Sequence, residues 1–258
     1  MLGDVDWAGR YVGVEIPTVR QLLVAIARHR SMVLYAVVTV LALIVTMRHA
    51  RAPFHLIEAS LITIVAYSVA EYCLHRHVLH ARLLWRSRLT AGIWRRLHYD
   101  HHMDPKDMTV LFAHPAASVP FLMLLSALAA IAAGDMDVFP AMVGTSFLAF
   151  MYYEAVHAAA HMLFPTDNGW LARRCRHHLR HHYMDEAAHF GVGSGVLDRI
   201  LARLGRRAAG RGPSVTARNL GYDRAMALRY PWVAAGYARK RAALQGRAIV
   251  RASVAPIS

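Results

Sequence analysis

Apolar positions along this chain gather into four long runs, and the segments after the second and fourth are rich in histidine and arginine. Residues 31–47 carry no charged side chain over 17 positions. That is about 26 Å of helix at ~1.5 Å per residue, enough to cross a hydrocarbon core. Residues 109–133 are also uncharged, and the run is longer. Residues 53–74 and 138–163 are apolar apart from Glu58, Glu71, Glu154 and a few histidines. The pattern predicts an all-α, polytopic membrane protein with about four transmembrane helices. Before the first run, residues 18–30 alternate apolar and basic positions at helical spacing, which fits either an interfacial helix or an extension of the first span. After the fourth run, Gly191, Gly193 and Gly195 break any helix, and Asp198 opens a short amphipathic stretch. The chain thus divides into an N-terminal cytoplasmic or interfacial segment (1–30), a membrane domain (31–205) and a basic tail (206–258). The tail, rich in Arg, Ala and Gly with scattered aromatics (Tyr222, Tyr230, Trp232, Tyr237), reads as part helix and part disorder.

Length changes this picture little, because 258 residues would otherwise suggest one or two soluble domains. With 56% hydrophobic residues and a mean hydropathy of +0.29, the membrane reading prevails. The net charge of +14 would point a soluble protein toward nucleic acid. Here its distribution argues for membrane topology and against a nucleic-acid partner. Arg76, Arg82, Arg86, Arg88, Arg95 and Arg96 follow the second run; Arg173, Arg174, Arg176 and Arg180 follow the fourth. The connection between the third and fourth runs carries Asp135 and Asp137 instead. By the positive-inside rule both termini and the 75–108 loop are cytoplasmic, with Arg48 and Arg51 a minor exception outside. The first 16 residues carry Asp4, Asp6 and Glu15 where a secretory signal would be basic. Cys73 and Cys175 fall on the cytoplasmic side without a C-x-x-C pairing and read as inert thiols. Arginine richness and small size point to a bacterial inner membrane.

Ten of the 17 histidines then define the chemistry. His75 and His80 form H-x4-H; His98, His101 and His102 form H-x2-H-H; His157 and His161 form H-x3-H; His178, His181 and His182 form a second H-x2-H-H. All four clusters map to the cytoplasmic ends of the predicted spans, where several helices can build one site. Imidazole suits zinc, copper, iron and nickel. Residues three and four apart share a helix face. His157 with His161, His98 with His102, and His178 with His182 therefore each suit one metal. His101 and His181, about 100° from their i+4 neighbours, are free to complete that metal or to turn toward a second. His75 and His80, five apart and roughly 140° around an ideal helix, are expected to reach two different metals or to flank a helix end. Ten ligands shared by two octahedral ions leave one position open on each, as catalytic metal sites require.

Carboxylates are placed to orient these rings. Glu71 lies one turn before His75, and Glu154 three residues before His157; Asp100 and Asp185 accompany the two triplets. Ligating imidazoles usually donate their second N–H to a carboxylate or carbonyl. Each glutamate reads equally well as an interfacial acid paired with an arginine. His77 and His177 abut the clusters and are alternates for the ligand set. His189 either lines the site or caps a turn, and His114 faces the cavity or simply opens the third run. His29, His49 and His55 read as interface residues.

The four boxes in this order, EYCLHRHVLH (71–80), LHYDHHMDP (97–105), YYEAVHAAAH (152–161) and HLRHHYMDEAAHFGVGSGVLD (178–198), resemble the fatty acid hydroxylase / sterol desaturase superfamily of membrane di-iron enzymes. The resemblance covers roughly residues 55–205. It implies four transmembrane helices capped by a cytosolic helical domain that holds the di-metal centre. It also implies metal binding by all ten box histidines, two non-haem iron ions for which zinc is expected to substitute in purified protein, and dioxygen activation to oxidise an unactivated C–H bond of a lipid. Hydroxylation is the expected outcome, with desaturation in some members. No haem, flavin or iron–sulfur motif is present in the sequence, so a ferredoxin or a haem or flavin reductase is expected to supply electrons. The arginine-rich surface around 82–96 and 172–180 suits such an acidic partner or anionic lipid headgroups. The chain departs from the family pattern at Gly193, Gly195 and Leu197, near the expected substrate entrance. A sterol or carotenoid substrate is an alternative to a fatty acyl chain. The rival of another class, a histidine-rich metal-binding protein or transporter, fits poorly because the histidines gather at one face and two of the spans carry no charge.

Overall fold

A computed structural model describes residues 18–49, 53–162, 169–204 and 213–254. The acidic start with Asp4, Asp6 and Glu15, the exception Arg51, and tail residues 206–212 and 255–258 lie outside them. Helices, and no strands, make up the described residues. Helix α1 (Val19–Arg28) is capped by Thr18, whose hydroxyl accepts the Gln21 N–H at 3.2 Å. At His29 the backbone becomes extended (φ −69°, ψ 131°), and the His29 ring stacks on Phe112 at 4.1 Å. The basic amphipathic segment is therefore a separate helix, burying Leu22 and Ile26, and not an extension of α2 (Arg30–His49).

Helix α3 (Pro53–Cys73) runs on into a π-helical turn, Leu74–Leu79. Helix α4 (Arg88–Trp94) passes through a second π-helical turn (Arg95–Tyr99) into α5 (Asp100–Met103). A single turn, α6 (Met108–Leu111), precedes α7 (Pro115–Ala133), which ends at Gly134 in the left-handed conformation (φ 68°). Helix α8 (Phe139–Met162) follows a 3₁₀ turn, and α9 (Gly169–Tyr183), α10 (Val196–Leu204), α11 (Arg224–Arg229) and α12 (Pro231–Val254) complete the chain.

Three described stretches are long and apolar enough to cross a membrane: Arg30–Arg48, Phe54–Leu79 and Thr109–Ala133. They turn large apolar side chains such as Leu41, Val65 and Leu124 outward. The fourth run forms α8, which carries Tyr152, Tyr153, Glu154 and two histidines in its last three turns and is not among those three stretches. It is instead the axis of the bundle, packed by α2, α3, α7 and α9. Gly144 of α8 faces Ala42 of α2, where small residues let the backbones approach. Tyr35, Leu122, Phe147 and Phe150 fill the core here. Polar side chains between the helices satisfy one another: Tyr35 Oη and Ser118 Oγ lie 2.6 Å apart, and Ser126 and Ser146 Oγ 2.8 Å apart.

A second core gathers Trp85, Trp94, Tyr99 and Met103 with Leu220, Tyr222 and Val233 from the basic tail. Trp94 Nε1 donates to the Leu79 carbonyl (2.7 Å), and Trp232 Nε1 to the Trp85 carbonyl (2.8 Å). The described part of the tail is thus packed structure, joined to the histidine-bearing helices through its aromatic residues.

Candidate metal centre

All ten clustered histidines converge. His75, His80, His98, His102 and His181 form one group; His101, His157, His161, His178 and His182 form another. Within each group the nitrogens that could ligate lie within 4.8 Å of one another, and all ten rings are buried except half-buried His80. The i,i+4 pairs of α8 and α9 and the His98–His102 pair stay together, as their shared faces dictate. The third member of each triplet crosses over: His101 joins the second group and His181 the first. Each triplet therefore bridges the two positions.

His75 and His80 do not reach two different groups; both enter the first. The 140° separation assumed an α-helix, whereas residues 74–79 form a π-helical turn in which His80 N–H bonds the His75 carbonyl at 3.2 Å. Such a turn returns the chain to the same face after about five residues. His80 also terminates the turn, as the helix-end alternative expected.

Hydrogen bonds outside the first group fix its ring orientations. His75 Nδ1 lies 2.6 Å from the Phe190 carbonyl, His181 Nδ1 2.7 Å from that of Ala188, and His102 Nδ1 3.0 Å from that of Ala217. A carbonyl only accepts, so these Nδ1 atoms carry the hydrogen and each Nε2 turns a lone pair inward. Within the groups, neighbouring Nε2 atoms stand 2.8 Å apart (His98, His80) and 2.9 Å apart (His157, His101; His178, His161). Burial, reinforced by neighbouring imidazoles, holds His98, His101, His178, His181 and His182 well below the usual pKa, and burial holds His102 down to about 3. The rings are neutral, the state that ligates a metal. The Nε2 of His102 is buried without a hydrogen-bond partner in the protein, which a bound cation would remedy. The two five-nitrogen sets fit a pair of borderline cations, and the donors by themselves admit iron, zinc, copper or nickel.

Three of the acids expected beside these rings accept backbone N–H groups, and the fourth, Asp100, pairs with a basic side chain. Glu71 Oε1 accepts from Val192 N (2.9 Å), and Glu154 Oε1 from Ala113 N (3.0 Å). Asp100 accepts from Arg95 Nε at 3.0 Å, and Asp185 from Ala187 N at 2.9 Å. His177 lies outside both groups, 2.9 Å from Asp198, with its ring against His189. His114 caps α7 by accepting the Ala116 N–H. Asp198 also accepts from Phe190 N (3.0 Å) and Gly191 N (2.9 Å), folding the 187–198 loop so that its carbonyls face the rings. Gly191 is required there, because a Cβ would run into the Ser194 carbonyl. The carbonyls of Ala188, Phe190 and Ala217 escape sequence reasoning, since any residue supplies one. The tail's aromatic residues were the available signal that 217 lies close by.

Beside the histidines is a largely apolar cavity of about 220 Å³. His75 and His98 from one group and His101, His157 and His178 from the other line it. Leu74, Val78, Val110, Leu111, Phe121 and Phe150 supply much of its apolar wall. Tyr67, Tyr153, Glu71, Glu154 and Ser118 are its polar members. Histidines of both groups thus face one apolar cavity.

A family model described as fatty acid hydroxylase matches residues 60–202, more than half of the chain. Two dihydroceramide fatty acyl 2-hydroxylases of Arabidopsis thaliana are similar: FAH2 is 27% identical over 158 residues (57% of this chain, 61% of the relative) and FAH1 26% identical over 150 residues (55% and 58%). The chain thus spans about three fifths of the length of these curated relatives. A solved structure of full-length scs7p, in which only the hydroxylase domain is visible, superposes with a TM-score of 0.57 at 23% identity, covering 69% of each chain. That likeness is one of fold.

Proposed function

The chain belongs to the fatty acid hydroxylase family, and from that premise we propose that it is an O2-dependent membrane monooxygenase that hydroxylates a fatty acyl chain of a lipid. The observation that carries this reading is the opening of an apolar cavity onto two neutral five-imidazole sets. Two iron ions held by those sets, with two electrons from a ferredoxin or a haem or flavin reductase, would activate dioxygen for attack on a C–H bond. The protein's part is to hold and aim. Ala188, Phe190 and Ala217 fix the tautomers of His181, His75 and His102. Leu111, Phe121 and Phe150 align the chain and exclude water. Amide-linked, ceramide-type lipids come first among candidate substrates, because both named relatives act on dihydroceramide acyl chains.

The proposed setting is the bilayer, with α8 as a fourth crossing beside the three apolar helices. The histidine groups and helices α4, α5 and α9–α12 then form a cytosolic cap. Both termini lie on the cytoplasmic face of a bacterial inner membrane, following the arginine distribution. Lipid mass spectrometry of cells with and without the gene tests the reaction. The expected result is a lipid gaining one oxygen; loss of two hydrogens would indicate desaturation instead. An unchanged lipidome, together with purified protein devoid of iron, would overturn the reading.

A further inference from the structure

A second cavity, of about 330 Å³, lies against the 187–198 loop and shares no lining residue with the first. Ala188 and Phe190, whose carbonyls hold His181 and His75, form part of its wall. Three arginines line it: Arg76 at the end of the α3 stretch, Arg174 on α9 and Arg199 on α10. Arg76 is held in place, donating to Tyr72 Oη at 3.0 Å with its guanidinium 5.7 Å from the centre of the Phe190 ring. Arg174 is seated against Gly195, where a Cβ would come within 3.0 Å of both its terminal nitrogens. Its Nη1 is buried and has no hydrogen-bond partner in the protein. The acid among the lining residues, Asp198, is already engaged by two backbone N–H groups and His177. The cavity therefore offers positive charge and one buried guanidinium nitrogen without a hydrogen-bond partner, while Glu71, whose charge also acts on Arg174, is itself held by Val192 N. An oxyanion answers both, and a phosphate presents oxygens that match the guanidinium fork.

The surroundings indicate where that phosphate comes from. Tyr72 and Arg76 belong to the last turns of the apolar stretch Phe54–Leu79, so this rim lies where a span leaves the bilayer. Helix α10, which forms another wall, exposes Val196, Ile200 and Leu201 beside Arg199. Exposed apolar side chains alternating with arginine are the pattern of a helix lying in the headgroup layer. We propose that this cavity binds the phosphate of an anionic membrane phospholipid, with Arg174 as its principal donor and Arg76 and Arg199 beside it. Gly195 is the residue that makes room for Arg174. The bound headgroup would brace the loop whose carbonyls orient His75 and His181.

The test is equilibrium binding to the full-length protein in detergent, followed by native mass spectrometry and by the thermal unfolding midpoint. The probes are short-chain phosphatidylglycerol, short-chain phosphatidylcholine and inorganic phosphate. Phosphatidylglycerol is expected to bind and raise the midpoint. Arg174→Gln is expected to weaken that binding about tenfold, as loss of a charge-assisted hydrogen bond does. Arg199→Gln is expected to weaken it less and serves as the variant if Arg174→Gln does not fold. Arg224→Gln, at an exposed arginine on α11 that is not part of the lining, should bind as wild type does. Inorganic phosphate binding as tightly as phosphatidylglycerol would keep the phosphate chemistry and overturn the lipid as its source. Equal binding of phosphatidylcholine, no binding of phosphatidylglycerol, or an equal loss in Arg224→Gln would overturn the site. None of these readouts depends on oxygenase activity, so the two proposals fail separately.

Discussion

At the scale of single residues, the two imidazole groups are held differently. Three rings of the first group lean on backbone carbonyls, whereas the Nδ1 atoms of His101, His161, His178 and His182 are buried without hydrogen-bond partners in the protein. Orientation in the second group therefore comes mainly from packing among α5, α8 and α9, and from a metal if one is bound. His157→Ala should accordingly cost roughly half or more of the bound metal while far-UV circular dichroism keeps its helical signal. Full metal content and activity in that variant would refute a ligand role. All ten histidines were legible in the sequence because their type and spacing are themselves the signal. Glu71 and Glu154 were legible as buried acids with a role, but not their partners. Those partners, Val192 and Ala113, lie 121 and 41 residues away and carry no distinguishing side chain.

At the scale of elements, π-helical turns and the 187–198 loop decide the geometry. An i→i+5 turn at 74–79 brings His75 and His80 to one side, which α-helical arithmetic could not foresee. Whether residues 18–30 continue the first span was likewise left open by periodicity. The extended backbone at His29 decides it, and that residue's ring finds its partner, Phe112, in a distant segment. The loop's dependence on glycine is testable. Gly191→Ala must displace the Ser194 carbonyl and crowd Asp198, the carboxylate that holds Phe190 N. Metal affinity is expected to fall about 10- to 100-fold, as for loss of an orienting hydrogen bond. Metal titration of the variant measures this, and wild-type affinity would show that the loop does not hold His75. On the neighbouring helix, Trp94 is 1% exposed and donates to the Leu79 carbonyl. Trp94→Ala should destabilise the protein by about 3–5 kcal/mol in chemical denaturation.

At the scale of the molecule, the described residues of the basic tail pack against the histidine-bearing helices. Removing the chain from residue 213 onward would take Leu220, Tyr222 and Val233 from the second core and the Ala217 carbonyl from His102. Such a truncation is expected to lower the unfolding midpoint and the retained metal together; unchanged values of both would separate the tail from the site. The buried cluster also predicts a pH dependence for chelator-stripped protein. Burial holds His102 at about 3 against its ordinary 6.5, and His98, His101, His178, His181 and His182 are lowered in the same direction. The unfolded chain takes up protons below about pH 6.5 that the folded chain does not. Stability is then fully present above that pH and falls as the pH drops through it, by up to ~1.4 kcal/mol per pH unit for each histidine. Denaturation at about pH 7.5 and about pH 5.5 should show this loss, and equal stabilities would contradict a buried neutral cluster. The sequence by itself determined the helical class, the apolar helices, the histidine clusters able to hold metal and the family, because hydropathy and ligand spacing are local properties of the chain. Tertiary structure alone decided how the ten rings divide five and five, which carbonyls set their tautomers, and that the tail closes the site. Two of those carbonyl contacts reach across 115 residues, and the carbonyls are backbone groups that residues of any type supply.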